Sequence, residues 1–194
     1  MSNRAVIILD ESGSMFSRIS DTVGAIQLFI SEQRRLTPDL LVTLVTFNSS
    51  GERTVWEDKP VQQCTFTRND LYPNGNTPLL DAIGHTVNRF KRRKGDKVVV
   101  AILTDGQENS SSEFSKADIQ RIIEKKNPRN WQFAYLGVGL DDIQDGLSSG
   151  FNIRSSNVYG TFTGATTVLA AASSDFYSGS TDEVTLNENV TTTP

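Results

Sequence analysis

AVIILDESGSM, Ala5 to Met15, is the stretch from which the fold can be read. Val6, Ile7, Ile8 and Leu9 form a short apolar, β-rich run of the kind buried on both faces in a parallel sheet. The run ends abruptly at Asp10, Glu11, Ser12, Gly13 and Ser14, after which a helical pattern starts. A polar loop at the carboxyl end of a parallel strand is where open α/β sheets place their ligands. This loop offers oxygen, from carboxylates and from two hydroxyls at alternate positions, with Gly13 to let the backbone curl. Oxygen donors suit a hard divalent cation such as Mg²⁺.

Working outward, Phe16, Ile19, Val23, Ile26, Phe29 and Ile30 recur at spacings of three and four and predict one face of a helix running to about Arg35. Thr37-Pro38-Asp39 breaks it, and Leu40 to Phe47 predicts a second strand. Asn48-Ser49-Ser50-Gly51 predicts a hairpin into a third strand around Thr54 to Trp56, antiparallel at a sheet edge. Val61 to Arg68 alternates too weakly to assign. Thr77 as N-cap with Pro78 at the first helical position opens a second helix, whose buried face is Leu80, Ile83, Val87 and Phe90. The basic run Lys91 to Gly95 reads as its cationic C-terminal end, with Gly95 as cap.

Lys97 to Thr104, KVVVAILT, is the clearest strand in the sequence, and it too ends in a polar loop beginning Asp105-Gly106. Ser115 and Asp118 form a capping box for a third helix through Ile119, Ile122 and Ile123. Trp131 to Val138 predicts a strand, Asp141 to Leu147 a short helix, Asn157 to Tyr159 a last strand and Ala165 to Ser173 a small-residue helix. The composition beyond Phe176 turns polar and predicts a mobile tail, 177–194, after a single domain over 1–176. Alternating strands and helices predict a doubly wound α/β domain, with a mostly parallel sheet of about six strands, one antiparallel edge strand and helices on both faces.

Composition narrows the function. The chain of 194 residues allows one full core, and the formal charge of −4 excludes a nonspecific nucleic-acid binder. Cys64 is the only cysteine, so no intrachain disulfide forms and a reducing compartment is the simpler expectation. The first apolar run is too short for a signal-peptide core or a membrane span, which leads us to expect a cytoplasmic chain with no membrane partner.

His85 is the only histidine. It lies about 200° around the helix from Ile83, opposite the buried face, where a surface pair with Asp81 is expected. With one histidine and one cysteine, the sequence shows no constellation for a zinc site or a Cys-His nucleophile. Ser14 lacks the second glycine of a nucleophile elbow, and the first loop has neither G-x-G-x-x-G nor a Walker lysine. No catalytic residue is assigned.

Three polar loops remain: Asp10 to Ser14, Gly75-Asn76-Thr77 and Thr104-Asp105-Gly106. In a doubly wound sheet they converge on one edge. Here the chain resembles the von Willebrand factor type A domains, whose metal-ion-dependent adhesion site is written Asp-x-Ser-x-Ser, then a distant Thr, then a distant Asp. All three parts occur in order, the last two within GNTPLLDAI and LTDG, and the resemblance covers about Arg4 to Ser174. It implies that Ser12 and Ser14 bind Mg²⁺, or Mn²⁺ or Ca²⁺, directly. Thr77 would bind directly or through water, and Asp10 and Asp105 mainly through water.

A mostly neutral donor set leaves the cation enough charge to accept one more oxygen, an Asp or Glu of a protein partner. Glu11 fills the variable position and is expected to point outward. The resemblance therefore implies a non-enzymatic, metal-dependent protein-binding module. The rival is Mg²⁺-dependent phosphoryl transfer or phosphatase chemistry using the carboxylates of the same loops.

Overall fold

The computed structural model describes residues 2–91, 93–105, 108–126, 130–137 and 161–181. Its sheet is built from β1 (Asn3–Asp10), β2 (Leu41–Asn48), β3 (Gly51–Pro60), β4 (Lys97–Thr104) and β5 (Trp131–Gly137), in the order β3-β2-β1-β4-β5. β1 is parallel to both β2 and β4, β5 is parallel to β4, and β3 closes one edge antiparallel to β2. The doubly wound architecture with one antiparallel edge strand is therefore present. The sheet has five strands among the described residues. The sixth expected strand, 157–159, and the short helix 141–147 lie outside them.

Side-chain alternation along β1 sorts the core into two layers. Ala5, Ile7 and Leu9 pack with Ile26, Phe29 and Ile30 of α1 (Ile19–Leu36). Leu169 and Phe176, from the last described helix, join that layer; this helix, Phe162–Ser178, is numbered α4 here. Val6 and Ile8 face the other way, onto Leu79, Ile83 and Val87 of α2 (Leu79–Arg89) and Ile119 and Ile123 of α3 (Lys116–Glu124). Both faces of β1 are thus covered, which is why its sequence is continuously apolar rather than alternating.

Several local expectations needed correction. The chain from Gly13 to Arg18 is a 3₁₀ helix, and α1 starts only at Ile19. The tighter winding turns Met15 into the core and leaves Phe16, expected on the buried face, 69% exposed. Thr77 is not the cap of α2: Pro78 stands at the N-cap and Leu79 is the first helical residue. The free amides of its first turn are met from another loop, Leu80 N–H by Glu108 Oε2 at 2.9 Å and Ser111 Oγ at 3.0 Å.

α2 ends at Arg89 with extended Phe90 as C-cap, so Gly95 (φ 92°) is a turn residue leading toward β4 rather than a helix cap. The unassigned Val61–Arg68 region holds two 3₁₀ turns, Val61–Gln63 and Arg68–Asp70. The Ser115–Asp118 capping box is present, with Ser115 N–H donating to Asp118 Oδ2 at 2.9 Å. α4 runs to Ser178, past the Phe176 boundary expected for the tail, and 182–194 lie outside the described residues. No helix among the described residues is long and apolar enough to cross a membrane.

Candidate metal-dependent binding site

The strand order reverses at β1: the chain goes first to β2 on one side and later to β4 on the other. Loops leaving the carboxyl ends of β1 and β4 therefore diverge and open a crevice, the position where doubly wound sheets bind ligands. Asp10 ends β1, Thr104 ends β4 and Asp105 follows it directly.

Asp10 is fully buried, and its two oxygens are fixed separately. Oδ1 accepts from Ser12 N–H at 2.7 Å and Oδ2 from the Thr104 hydroxyl at 2.5 Å. Beyond it, Ser12 Oγ lies 3.0 Å from Ser14 Oγ, and Ser14 Oγ donates to Asp105 Oδ1 at 2.7 Å. Arg18 Nε holds Asp105 Oδ2 at 3.1 Å. Four of the expected site residues thus form one connected run, graded from buried Asp10 and Ser12 to exposed Ser14.

The loop bearing Thr77 is latched to this run. Gly13 N–H donates to Gly75 O at 3.0 Å and Asn74 N–H to Glu11 O at 2.9 Å. Gly75 has φ 69°, and a Cβ there would stand 2.2 Å from Ser49 Oγ, so both conformation and space call for glycine. Thr77, 3% exposed, is held by the β4–α3 loop: its N–H donates to Asn109 Oδ1 at 2.9 Å, and Asn109 N–H returns to Thr77 O at 3.3 Å.

Burial is the main cause raising the Asp10 carboxyl above its ordinary range, with the charge of Asp105 adding in the same direction; bonds from Thr104 and Ser12 oppose both. Among the described residues, no group of three or more His, Cys, Asp or Glu side chains is placed to hold a metal. The side-chain oxygens gathered in the connected run are the carboxylates of Asp10 and Asp105 and the hydroxyls of Ser12 and Ser14.

Glu11 does not point outward. It is buried, with Oε1 accepting from Arg53 at 2.9 Å and from Tyr72 N–H at 2.5 Å. Sequence reasoning missed Thr104 and Arg18 as partners of the two aspartates, and Asn109 as the anchor of Thr77. The Thr104 role was signalled only by a hydroxyl closing an otherwise apolar strand.

His85 is also placed differently. Nδ1 lies 2.7 Å from Glu52 Oε1 and Nε2 2.9 Å from Glu113 Oε2, while Asp81 instead accepts from the amides of Ser112, Glu113 and Phe114. The helix face opposite the core is covered by the β3 hairpin and the β4–α3 loop, which supply those carboxylates. The bond to Glu113 and then that to Glu52 raise the imidazole above its ordinary value, against the effect of burial. A raised value means that the clamp contributes fully below the ordinary histidine pKa of 6.5 and is lost as pH climbs through the folded-state value. We expect the melting temperature of the protein to fall across that window and the fall to be much smaller in His85→Gln; equal slopes would show that His85 is not the titrating group.

No family model and no characterised protein matches the chain by sequence at a significant level. Solved structures do match it. A von Willebrand factor type A protein from Catenulispora acidiphila superposes with TM-score 0.67 at 20% identity, over 89% of this chain and 43% of that one. The SpRpn10 VWA domain gives 0.55 at 14% identity, over 81% and 85%. The pilus adhesin SpaC from Lactobacillus rhamnosus GG gives 0.67 at 14% identity, over 92% and 31%. The chain thus spans less than half the length of the first and third of these proteins. What the strand order, the two-layer core and these superpositions establish together is the fold: this chain has the fold of a von Willebrand factor type A domain.

Proposed function

We propose that the rim of Asp10, Ser12, Ser14, Thr77 and Asp105 holds a divalent cation, Mg²⁺ with Mn²⁺ or Ca²⁺ as substitutes, and that the bound cation accepts an Asp or Glu carboxylate of a partner protein. The observation that carries this is the connected run Asp10–Ser12–Ser14–Asp105 at the topological switch point. The residues fit such a cation. Asp10 is a fully buried carboxylate whose two hydrogen-bond donors, Ser12 N–H and the Thr104 hydroxyl, are both neutral, so its charge is left for a cation to balance. Ser12, Ser14 and Thr77 offer hydroxyls, suited to a hard ion and unable to cancel its charge, and the Asp105 carboxylate is already paired with Arg18.

When bound, the ion supplies the positive charge that a partner carboxylate seeks. Ser12, Ser14 and Thr77 would hold it directly, with Asp10 and Asp105 acting through water. Binding rather than turnover is favoured because Glu11, the loop carboxylate outside the Asp10–Asp105 run, and His85, the one histidine of the sequence, are already engaged. Glu11 is held by Arg53 and Tyr72 N–H, and His85 by Glu52 and Glu113. A similar fold in a protein named as a pilus adhesin agrees with a binding role. The single buried, free Cys64 suits a reducing compartment, and a cytoplasmic site of action belongs to the proposal.

Calorimetric titration with Mg²⁺ tests the reading. Ser12→Ala and Asp105→Ala are each expected to weaken Mg²⁺ by about tenfold or more, a loss of about 1.4 kcal/mol, while circular dichroism stays unchanged. Unchanged affinity in both variants would refute the site. Capture of a partner in Mg²⁺ and its release by EDTA tests the second half.

A further inference from the structure

Two large hydrophobic side chains are left exposed by the described residues, Phe16 at 69% and Tyr72 at 60%, and both belong to the rim just described. Single exposed aromatics are ordinary, and what sets these two apart is that both stand in loops tied to one candidate site. Phe16 follows Ser14 in the 3₁₀ turn Gly13–Arg18, where Met15 takes the inward position and commits Phe16 to solvent. Tyr72 lies on the other side of the first loop, its N–H bonded to Glu11 Oε1. The Arg53 guanidinium sits 5.3 Å from the Tyr72 ring centroid, so one face of the ring is braced while the residue stays exposed.

The loops bearing the two rings are joined by the Gly13–Gly75 and Asn74–Glu11 backbone bonds, which fixes their relation to Ser12 and Ser14. Two cationic side chains stand in the same rim, Arg18 on Asp105 and Arg53 on Glu11, each still partly exposed. A ring braced like that of Tyr72 loses little rotamer freedom on burial, and exposed aromatic rings are common anchors of binding surfaces. The two arginines offset two of the three rim carboxylates, and a bound divalent cation turns the balance positive, which beside apolar rings is complementary to a carboxylate beside an apolar side chain.

We propose that this rim selects a partner segment in which an acidic residue is flanked by an apolar one, the carboxylate going to the cation and its neighbour to Phe16 and Tyr72. The proposal rests on the metal-dependent reading above and adds the partner's local chemistry to it. Phe16 and Tyr72 discriminate among acidic partners, since any exposed Asp or Glu could satisfy the cation alone.

The test uses the full chain and a short random peptide library with a fixed central Asp, screened in Mg²⁺ and in EDTA. Wild type should enrich aromatic or large aliphatic residues within a few positions of the Asp, and only in Mg²⁺. The double variant Phe16→Ser/Tyr72→Ser should keep its calorimetric Mg²⁺ affinity and its need for Asp. It should also bind the selected peptides about tenfold more weakly, about 1.4 kcal/mol, and lose the apolar enrichment. Flat enrichment around the Asp in wild type, or enrichment unchanged in the double variant, overturns this inference and leaves the metal reading standing. No EDTA-sensitive capture of any peptide overturns both. Self-association that depends on Phe16 and Tyr72, with no peptide enrichment, also overturns it, by making a second copy of the chain the occupant.

Discussion

Asp10→Asn should leave the protein at least as stable as wild type in EDTA and abolish the stabilisation that Mg²⁺ gives to wild type. The two halves have one cause. In the metal-free protein the Asp10 carboxylate is fully buried against neutral donors, and its folded-state pKa is raised chiefly by that burial. A raised carboxyl pKa means that this group favours folding below its ordinary value and opposes it once pH has risen through the folded-state value. Above the ordinary carboxyl value wild type therefore bears the cost of burying this group, which an amide avoids. Asn keeps an oxygen for Ser12 N–H and can donate to Thr104 Oγ1, so the hydrogen-bond frame survives.

With Mg²⁺ at about 100 times its dissociation constant, linkage stabilises wild type by about 2.7 kcal/mol. For a domain of this size that is a rise in melting temperature of about 5–10 °C. Asp10→Asn should show almost none of it. Thermal scans of both proteins in EDTA and in Mg²⁺ measure all four values. A Mg²⁺-induced rise in the variant equal to that in wild type would remove Asp10, and with it the proposed site.

How much of this was visible in the chain beforehand differs by element. β1 and β4 were legible because both faces are covered, so every residue from Ala5 to Leu9 and from Val98 to Leu103 is apolar. The doubly wound class followed from alternation of strands and helices, and the observed order sets β1 beside β4, with Asp10 and Asp105 on one edge. Ser12 and Ser14 were named beside them through the family resemblance, and the bonds that join the four are seen only in the structure.

What remained hidden depends on contacts between segments distant in sequence. Phe16 fits a helical apolar stripe by spacing, and only the 3₁₀ winding of Gly13–Arg18 turns it outward. Thr77-Pro78 has the composition of a helix start, yet the first amides of α2 are satisfied by Glu108 and Ser111, about thirty positions away. Glu11 looked free in the loop because its partners, Arg53 and Tyr72, come from β3 and the segment before Gly75. Periodicity carries local information: the Thr77 and Glu11 misses were settled by tertiary partners, and that of Phe16 by the winding of its own turn.

The other large effect expected is on stability, at Phe47. Its ring is fully buried in the layer that holds Ile8, Leu79 and Leu80, and its backbone pairs in register with Asp10 at the end of β1. Its carbonyl accepts Glu11 N–H at 2.8 Å, so the same residue fills the core and supports the first loop of the rim. Phe47→Ala should cost about 3–5 kcal/mol, the transfer loss plus the cavity left between β2 and α2. In melting temperature that is a fall of about 6–20 °C. Phe47→Leu, which keeps apolar bulk, should lose clearly less.

The effect on Mg²⁺ separates packing from chemistry. Asp105→Ala should lose metal affinity with little change in stability, because Asp105 lies at the rim. Phe47→Ala should lose stability first, and metal affinity less, because Asp10 remains held from the far side by Thr104. A loss below about 1 kcal/mol in Phe47→Ala would mean that the site does not rest on this ring. A Mg²⁺ affinity in Phe47→Ala as low as in Asp105→Ala would mean that the bond from Thr104 does not hold Asp10 in place once the floor is removed.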